Sequence, residues 1–209
     1  MTPPYAELEK LARRAAAIRG GNGTVPLAAL PSLWVLSDPR RTPDLPYLAG
    51  GLPPGSALVY RHFGAPDRFA MVDELARICA SRGASLFVSA DPALQDHSGI
   101  SGIHWPEQRL ASFRQSRFGA SPLMHTASAH SAGAIASAQR AGLDGVFAST
   151  VFPSASPSAG RPMGHFTAAS LARAFSIPVI ALGGITQKNS PRLEGLGLAG
   201  LACVGAAVR

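Results

Sequence analysis

The segment that decides the fold runs from Pro178 to Thr186 and reads PVIALGGIT. Its first five residues form a short apolar run, which predicts a buried strand, and the glycine pair that follows predicts a tight turn. Runs of the same kind recur along the chain, so that eight strands are predicted in all. The other seven are Leu33–Ser37, Ala57–Arg61, Ser85–Ser89, Gly102–Trp105, Leu123–Ala127, Gly145–Ser149 and Leu201–Val204.

Segments with a helical spacing of apolar residues separate many of these strands. Phe69–Cys79 is the clearest, and Ala132–Ala141 and Thr167–Ala174 show the same spacing. Strands that alternate with helices are typical of parallel βα units. The sequence therefore predicts an α/β protein folded as a compact (β/α)8 TIM barrel. An open doubly wound sheet is the alternative.

The predicted domain organisation is one barrel over residues 1–209, in which residues 1–30 form an N-terminal helical extension. Tyr5–Arg19 has the pattern of a helix, which we expect to cover a gap in the outer ring. Asp91–Gly99, between the third and fourth strands, is too short for a full helix. Arg209 lies five residues beyond the eighth predicted strand, so no helix is expected after that strand.

Composition narrows the class of ligand. The chain has 19 basic and 12 acidic residues, a net charge of +7, and its basic residues other than Lys10 and Lys188 are arginines. Scattered arginines and an aromatic content of 7% disfavour nucleic acid and favour a soluble basic protein or an anionic small-molecule substrate. The chain has no apolar run long enough for a membrane helix, and because residues 1–14 lack the apolar core of a signal peptide, none is expected. Two cysteines exclude a disulfide framework, so a cytoplasmic location is expected.

Functional groups are expected at the carboxyl ends of the strands, as in other barrels of this type. Those ends carry hydroxyls, imidazoles, one arginine and several glycines, and few acidic residues. Gly183 and Gly184 follow the seventh strand, and Gly205 follows the eighth. Glycines let backbone N–H groups approach an anion closely, so we expect a phosphate at these loops. A tight turn without a ligand is the alternative.

Four motifs carry a resemblance to a known family. They are Gly102-Ile103-His104, Ser128-Ala129-His130, the loop Val151–Ser156 and the segment Pro178–Thr186. In this order and at these spacings, the chain resembles the thiamine phosphate synthases and the related thiazole tautomerases. The resemblance runs from about Leu33 to Val208.

The resemblance implies a transferase of thiamine biosynthesis that acts on small phosphorylated substrates. In the implied reaction, the ring nitrogen of a thiazole phosphate attacks a pyrimidine methyl diphosphate, and diphosphate leaves with the help of Mg²⁺. His130 is a candidate catalytic residue, and His62, which follows Arg61 at a strand end, is a second. The candidate substrate- and phosphate-binding residues are Arg61, Ser89, His104, Ser128, Ser154, Ser156, Gly183, Gly184, Val204 and Gly205.

The chain departs from the family where the resemblance places the metal ligands. Ala90 and Arg109 stand at the positions of two carboxylates, and Asp91 comes one position late. Two interpretations stay open. Either Asp91 holds Mg²⁺ together with the diphosphate, or arginines such as Arg61 and Arg109 neutralise the leaving group.

Two other functions are compatible with the same motifs. One is a metal-independent thiazole tautomerase that uses His130 or His62. The other is a non-catalytic barrel that keeps the phosphate site. The sequence leaves the oligomeric state open, a homodimer included.

Overall fold

The computed structural model describes residues 5–19, 29–115, 123–154, 156 and 159–204. Within them, eight short parallel strands form one closed sheet in chain order. β1 pairs with β2 on one side and with β8 on the other, so the predicted barrel is confirmed and the open doubly wound sheet is wrong. The strands are β1 (Leu33–Leu36), β2 (Ala57–Tyr60), β3 (Ser85–Ser89), β4 (Gly102–Trp105), β5 (Met124–Ala129), β6 (Gly145–Ser149), β7 (Val179–Leu182) and β8 (Gly200–Val204).

Helices of uneven length surround the sheet. They are α1 (Ala6–Ile18), α2 (Leu45–Gly50), α3 (Arg68–Arg82), α4 (Leu110–Gln115), α5 (Ala132–Arg140) and α6 (His165–Ala174). Between β3 and β4 the chain makes only a 3₁₀ turn at Pro92–Leu94, as the length of that connection predicts. Another 3₁₀ turn, Ser190–Leu193, stands between β7 and β8. In the described part of the chain, no helix is long and apolar enough to cross a bilayer.

The strands bury side chains on both faces, because residues along a strand alternate between the barrel interior and the helical layer. Trp34 fills the interior, with its ring centroid 4.7 Å from that of Phe87 and 5.1 Å from that of Phe147. Its indole N–H donates to the carbonyl oxygen of Pro31 at 2.8 Å. The interior is therefore packed below the strand ends, and this packing supports the residues that lie above it.

Helix α1 packs against β1 and β8, the two strands whose pairing closes the barrel. Leu8, Leu11, Ala15 and Ile18 form its buried face. The predicted covering role of the N-terminal helix is therefore present in the structure. The residues after Val204, on which the prediction of no helix after β8 rests, lie outside the described ranges.

Replacing Trp34 by alanine should destabilise the barrel strongly. Trp34 is fully buried, so the substitution leaves a large cavity between Phe87 and Phe147. We expect a loss of about 3–5 kcal/mol in the free energy of unfolding, measured by urea denaturation. Phe166→Ala is the control, since Phe166 is 71% exposed. Equal unfolding midpoints for the two variants would contradict the interior packing described here.

Candidate active site

A cavity of about 890 Å³ opens at the carboxyl ends of the strands. The site residues predicted from the sequence line it, except Gly205, which lies outside the described residues. The predicted residues in the lining are Arg61, His62, Ser89, Asp91, His104, Ser128, His130, Ser154, Ser156, Gly183, Gly184 and Val204. Barrel closure therefore brings to one place groups that are far apart in the sequence.

His104 extends from β4 into the barrel and is buried. Its Nδ1 lies 3.0 Å from Oγ1 of Thr126, and its Nε2 lies 3.0 Å from Oγ of Ser128. Its ring packs against Phe147, with the centroids 4.5 Å apart. Burial, assisted by the positive charge of Arg61, lowers the pKa of His104 to about 3. The ring is therefore neutral at physiological pH, so one nitrogen donates, the other accepts, and the hydroxyl of Ser128 is held in place.

His130 lies at the rim of the cavity, directly after β5, and is exposed. Its backbone N–H donates to Oε2 of Glu107 at 2.7 Å. Its Nδ1 lies 3.0 Å from the carbonyl oxygen of Ser149. Because a carbonyl oxygen only accepts, Nδ1 carries the proton, and Nε2 of the neutral ring is the basic nitrogen. His130 is thus oriented as a group that could take up a proton from a ligand.

Arg61 connects the ends of β1 and β2. Its Nε donates to the carbonyl oxygen of Ser37 at 2.6 Å, and its backbone N–H donates to the Ser37 hydroxyl at 2.8 Å. Its guanidinium lies 3.5 Å from Oδ2 of Asp38. Burial lowers the pKa of Arg61, while Asp38 opposes that effect. A guanidinium has five N–H donors, so these contacts fix its orientation and leave capacity for an anion.

The loop after β3 contains an ion pair that the sequence did not predict. Oδ2 of Asp91 accepts from Nε of Arg68 at 2.7 Å, and Oδ1 accepts from the backbone N–H of Ala93 at 3.0 Å. Burial acts to raise the pKa of Asp91, but the hydrogen bonds from Arg68 and Ala93 and the nearby positive charges outweigh burial and lower it. Asp91 is therefore ionised, and Arg68 balances its charge.

His62 lies beside this pair. Its Nδ1 accepts from the backbone N–H of Gly64 at 3.0 Å, so the proton of the neutral ring is on Nε2, which is 3.6 Å from Oδ2 of Asp91. Burial lowers the pKa of His62, an effect that Arg68 and Arg109 increase and Asp91 opposes. The lone pair of the ring is engaged by the loop, so the geometry favours His130 as the acid–base group. A catalytic role for His62 stays a prediction.

Gly183 and Gly184 follow β7 with φ angles of 101° and 64°, a region that other residues rarely adopt. A Cβ on Gly184 would lie 2.3 Å from the carbonyl oxygen of Pro153, so the glycines also allow the loops after β6 and β7 to pack closely. Among the described residues, none accepts a hydrogen bond from the backbone N–H of Gly184 or Ile185. Both residues line the cavity, so their N–H groups are candidates for binding an anion.

The remaining predicted residues complete this part of the rim. Ser154 and Ser156 lie in the loop after β6, where the hydroxyl of Ser154 accepts from the backbone N–H of Ser156 at 3.2 Å. Ser89 and Val204 are the last residues of β3 and β8. The serine hydroxyls and the glycine loop therefore come from neighbouring strands, β6 and β7.

Sequence comparison identifies the family. The family model for thiamine monophosphate synthase matches residues 52–207. The thiamine-phosphate synthase of Thiobacillus denitrificans is 31% identical over 179 residues, which cover 80% of this chain and 83% of that relative. The chain belongs to the thiamine monophosphate synthase family. A second relative, the thiamine-phosphate synthase of Chlorobium luteolum, is 32% identical over 144 residues, which cover 66% of each chain.

Solved structures agree on the architecture. The thiamine phosphate pyrophosphorylase from Pyrococcus furiosus superposes with a TM-score of 0.72 at 24% identity and covers 86% of this chain and 88% of that chain. The N-acetylmannosamine-6-phosphate 2-epimerase from Clostridium perfringens superposes with a TM-score of 0.57 at 14% identity over 88% of this chain and 90% of its own. At these identities the likeness shows the barrel fold alone.

The residues of this thiamine monophosphate synthase family member do not fit Mg²⁺ held by the protein. Over the described ranges, no group of three or more His, Cys, Asp or Glu side chains could hold a metal ion. Asp91 and Glu107 line the cavity, but Arg68 binds the first and the His130 N–H binds the second. Mg²⁺ is usually held by one or two carboxylates together with waters and substrate phosphates, and here both oxygens of Asp91 already accept hydrogen bonds from N–H donors. Asp91 as a single metal ligand stays a prediction.

Two contacts at this site are not predicted by the sequence, one made by Arg68 and one by Glu107. Arg68 is in the first turn of α3, and nothing in the sequence indicates that its side chain reaches Asp91 in another loop. Glu107 stands in the 3₁₀ turn after β4, next to the strand-four histidine motif. The sequence places Glu107 near a strand end, which indicates a position close to the site. Its contact with the backbone of His130 arises only because β4 and β5 are adjacent in the sheet.

Neutralising Asp91 should lower the pKa of His62 further. The negative charge of Asp91 favours the protonated ring, so Asp91→Asn removes the interaction that opposes burial. We expect a lower pKa for His62 in an NMR titration of the histidine ring signals. Asp73→Asn is the matched control. It removes a carboxylate that pairs with a different histidine, His97, at 2.9 Å, so the pKa of His62 should not change. An unchanged or raised His62 pKa in Asp91→Asn would show that the two groups do not interact.

Proposed function

We propose that this chain is a thiamine phosphate synthase that joins hydroxymethylpyrimidine diphosphate to thiazole phosphate. The observation that supports this most strongly is that a single cavity has two separate sets of N–H donors, each suited to an anion. One consists of the backbone N–H groups of Gly184 and Ile185, and the other contains the guanidinium of Arg61. The strands that carry them, β7 and β2, are not neighbours in the barrel. Two phosphorylated substrates of one reaction need such a pair of sites.

The proposed step requires few chemical groups from the protein. The lone pair of the thiazole ring nitrogen forms a bond to the methylene carbon of the pyrimidine while the C–O bond to diphosphate breaks. The electron pair of that bond leaves with the diphosphate, and the ring nitrogen becomes positively charged. No proton moves at the reacting carbon, so the cavity acts by holding both substrates in line and stabilising the leaving charge. The Ser128 hydroxyl, held by His104, is a polar group that can orient the pyrimidine.

A thiazole tautomerase is the second candidate, and the orientation of His130 favours it. The contact between Nδ1 and the carbonyl oxygen of Ser149 leaves Nε2 as the basic nitrogen of a residue that lines the same cavity. Moving a proton within a thiazole needs such a base, whereas joining two precursors at a methylene carbon does not. The two functions therefore make different demands on His130.

The use of Mg²⁺ and the oligomeric state both stay predictions under this proposal. Asp91 could contribute one oxygen to a cation carried by the diphosphate if Arg68 released it. A homodimer stays a prediction from the sequence. The small phosphorylated substrates are the proposed ligands of the chain.

Two assays, one of thiamine phosphate synthesis and one of thiazole tautomerisation, test the proposed function. The chain is incubated with both precursors and Mg²⁺, and thiamine phosphate is quantified by chromatography. Thiamine phosphate and diphosphate should form in equal amounts. His130→Asn should keep synthase activity within about tenfold, while any tautomerase activity should fall by about 100-fold or more, since general acid–base catalysis contributes at least that much.

Failure of synthesis would identify which alternative holds. If the unaltered chain forms no thiamine phosphate but exchanges thiazole protons by NMR, and His130→Asn does not, the chain is a tautomerase. If neither reaction occurs and calorimetry still detects binding of thiazole phosphate, the chain is a non-catalytic binding protein. Either result would overturn the synthase proposal.

Replacing Arg61 should weaken binding of the pyrimidine substrate selectively. Arg61→Gln removes a charged hydrogen-bond donor, and such bonds are worth about 1.5–3 kcal/mol, or roughly 10- to 150-fold in affinity. Calorimetry should show that loss for hydroxymethylpyrimidine diphosphate and little change for thiazole phosphate. Arg140→Gln, at the end of α5, is the control. Equal loss of both ligands would mean that Arg61 acts only through its contacts with Ser37 and Asp38.

A further inference from the structure

Next to β3 and β4, the cavity has the guanidinium of Arg109 where the resemblance places a metal-binding carboxylate. NH1 of Arg109 donates to the carbonyl oxygen of Ala90 at 2.8 Å. Ala90 follows β3 directly, and Arg109 ends the 3₁₀ turn Glu107–Arg109 that follows β4. The hydrogen bond thus holds a guanidinium over the gap between two adjacent strand ends, within the cavity lining.

The acids nearby do not compete for this guanidinium. Asp91 is paired with Arg68 at 2.7 Å, and Glu107 accepts the backbone N–H of His130 at 2.7 Å. Over the described residues, the hydrogen bond to Ala90 is the one that the Arg109 side chain makes to the protein. A guanidinium has five N–H donors in a planar fork that matches phosphate oxygens, so most of this capacity is available to a ligand.

We propose that Arg109, anchored on the Ala90 carbonyl, binds the departing diphosphate together with Arg61 and takes the place of a protein-bound divalent cation. This inference rests on the proposed function and identifies how the same site neutralises its leaving group. The Arg68–Asp91 pair contributes by cancelling the carboxylate charge that would repel the anion. The chain therefore forms its product without a metal ion held by protein ligands.

The proposed step balances without a metal. The bond from the thiazole nitrogen to the methylene carbon forms, and the C–O bond breaks with its electron pair retained by the diphosphate. The guanidinium groups donate N–H hydrogen bonds to the phosphate oxygens throughout, and neither arginine gives up a proton. Fixed donors at the position where charge develops stabilise the transition state, and they need no rearrangement as the bond breaks.

Binding of inorganic diphosphate is the experiment that tests this proposal. Calorimetry is run on the unaltered chain, on Arg109→Gln and on Arg140→Gln, each once with EDTA and once with Mg²⁺. We expect the unaltered chain to bind diphosphate equally well, within about twofold, in both conditions. Arg109→Gln should bind at least about tenfold more weakly in EDTA, the loss of a charged hydrogen bond, and Arg140→Gln should match the unaltered chain. Thermal unfolding of Arg109→Gln checks that the fold is intact.

Two results would overturn the inference. One is that the unaltered chain binds diphosphate with Mg²⁺ present but not in EDTA. The other is an affinity of Arg109→Gln equal to that of Arg140→Gln. Synthase assays in the same two buffers separate the claims: product that forms only with Mg²⁺ defeats this inference and leaves the proposed function standing. Metal-independent diphosphate binding with no product in either buffer defeats the proposed function instead.

Discussion

The pairing of β1 with β8 is the constraint on which the rest of the molecule depends. Leu33 to Leu36 align with Leu201 to Val204, and this alignment turns a row of strands into a closed ring. Closure brings the carboxyl ends of all strands to one rim, so that residues from Arg61 to Val204 line the same cavity. Helix α1 covers the seam from outside with an apolar face.

Packing connects the interior to the site. Trp34 contacts Phe147, the ring of Phe147 packs against His104, and His104 holds the hydroxyl of Ser128. Each member of this series is fixed by its neighbours, because close-packed interiors leave little room for a side chain to move. The close-packed interior therefore supports the rim of the cavity and holds the hydroxyl of Ser128 in place.

Much of the fold could be predicted because each βα unit repeats a local pattern. Eight apolar runs matched eight strands, and the short connection Asp91–Gly99 indicated the missing helix between β3 and β4. Pairings between side chains were harder to predict. Arg68 reaches Asp91, and Arg109 reaches the carbonyl of Ala90, only because β2, β3 and β4 are adjacent in the closed sheet. The sequence predicts the glycine pair both as a turn and as a phosphate loop. Its geometry shows the turn, and phosphate binding stays a prediction, which the N–H groups of Gly184 and Ile185 support because no described residue accepts from them.

A crystal structure of the chain grown with thiazole phosphate and inorganic diphosphate, in EDTA, would locate both anions at once. We expect the thiazole phosphate on the N–H groups of Gly184 and Ile185. We expect the diphosphate within hydrogen-bond distance of Arg61 and Arg109, with no metal ion between them. Both anions bound on the same side of the cavity, or a diphosphate that does not contact either arginine, would contradict this expectation.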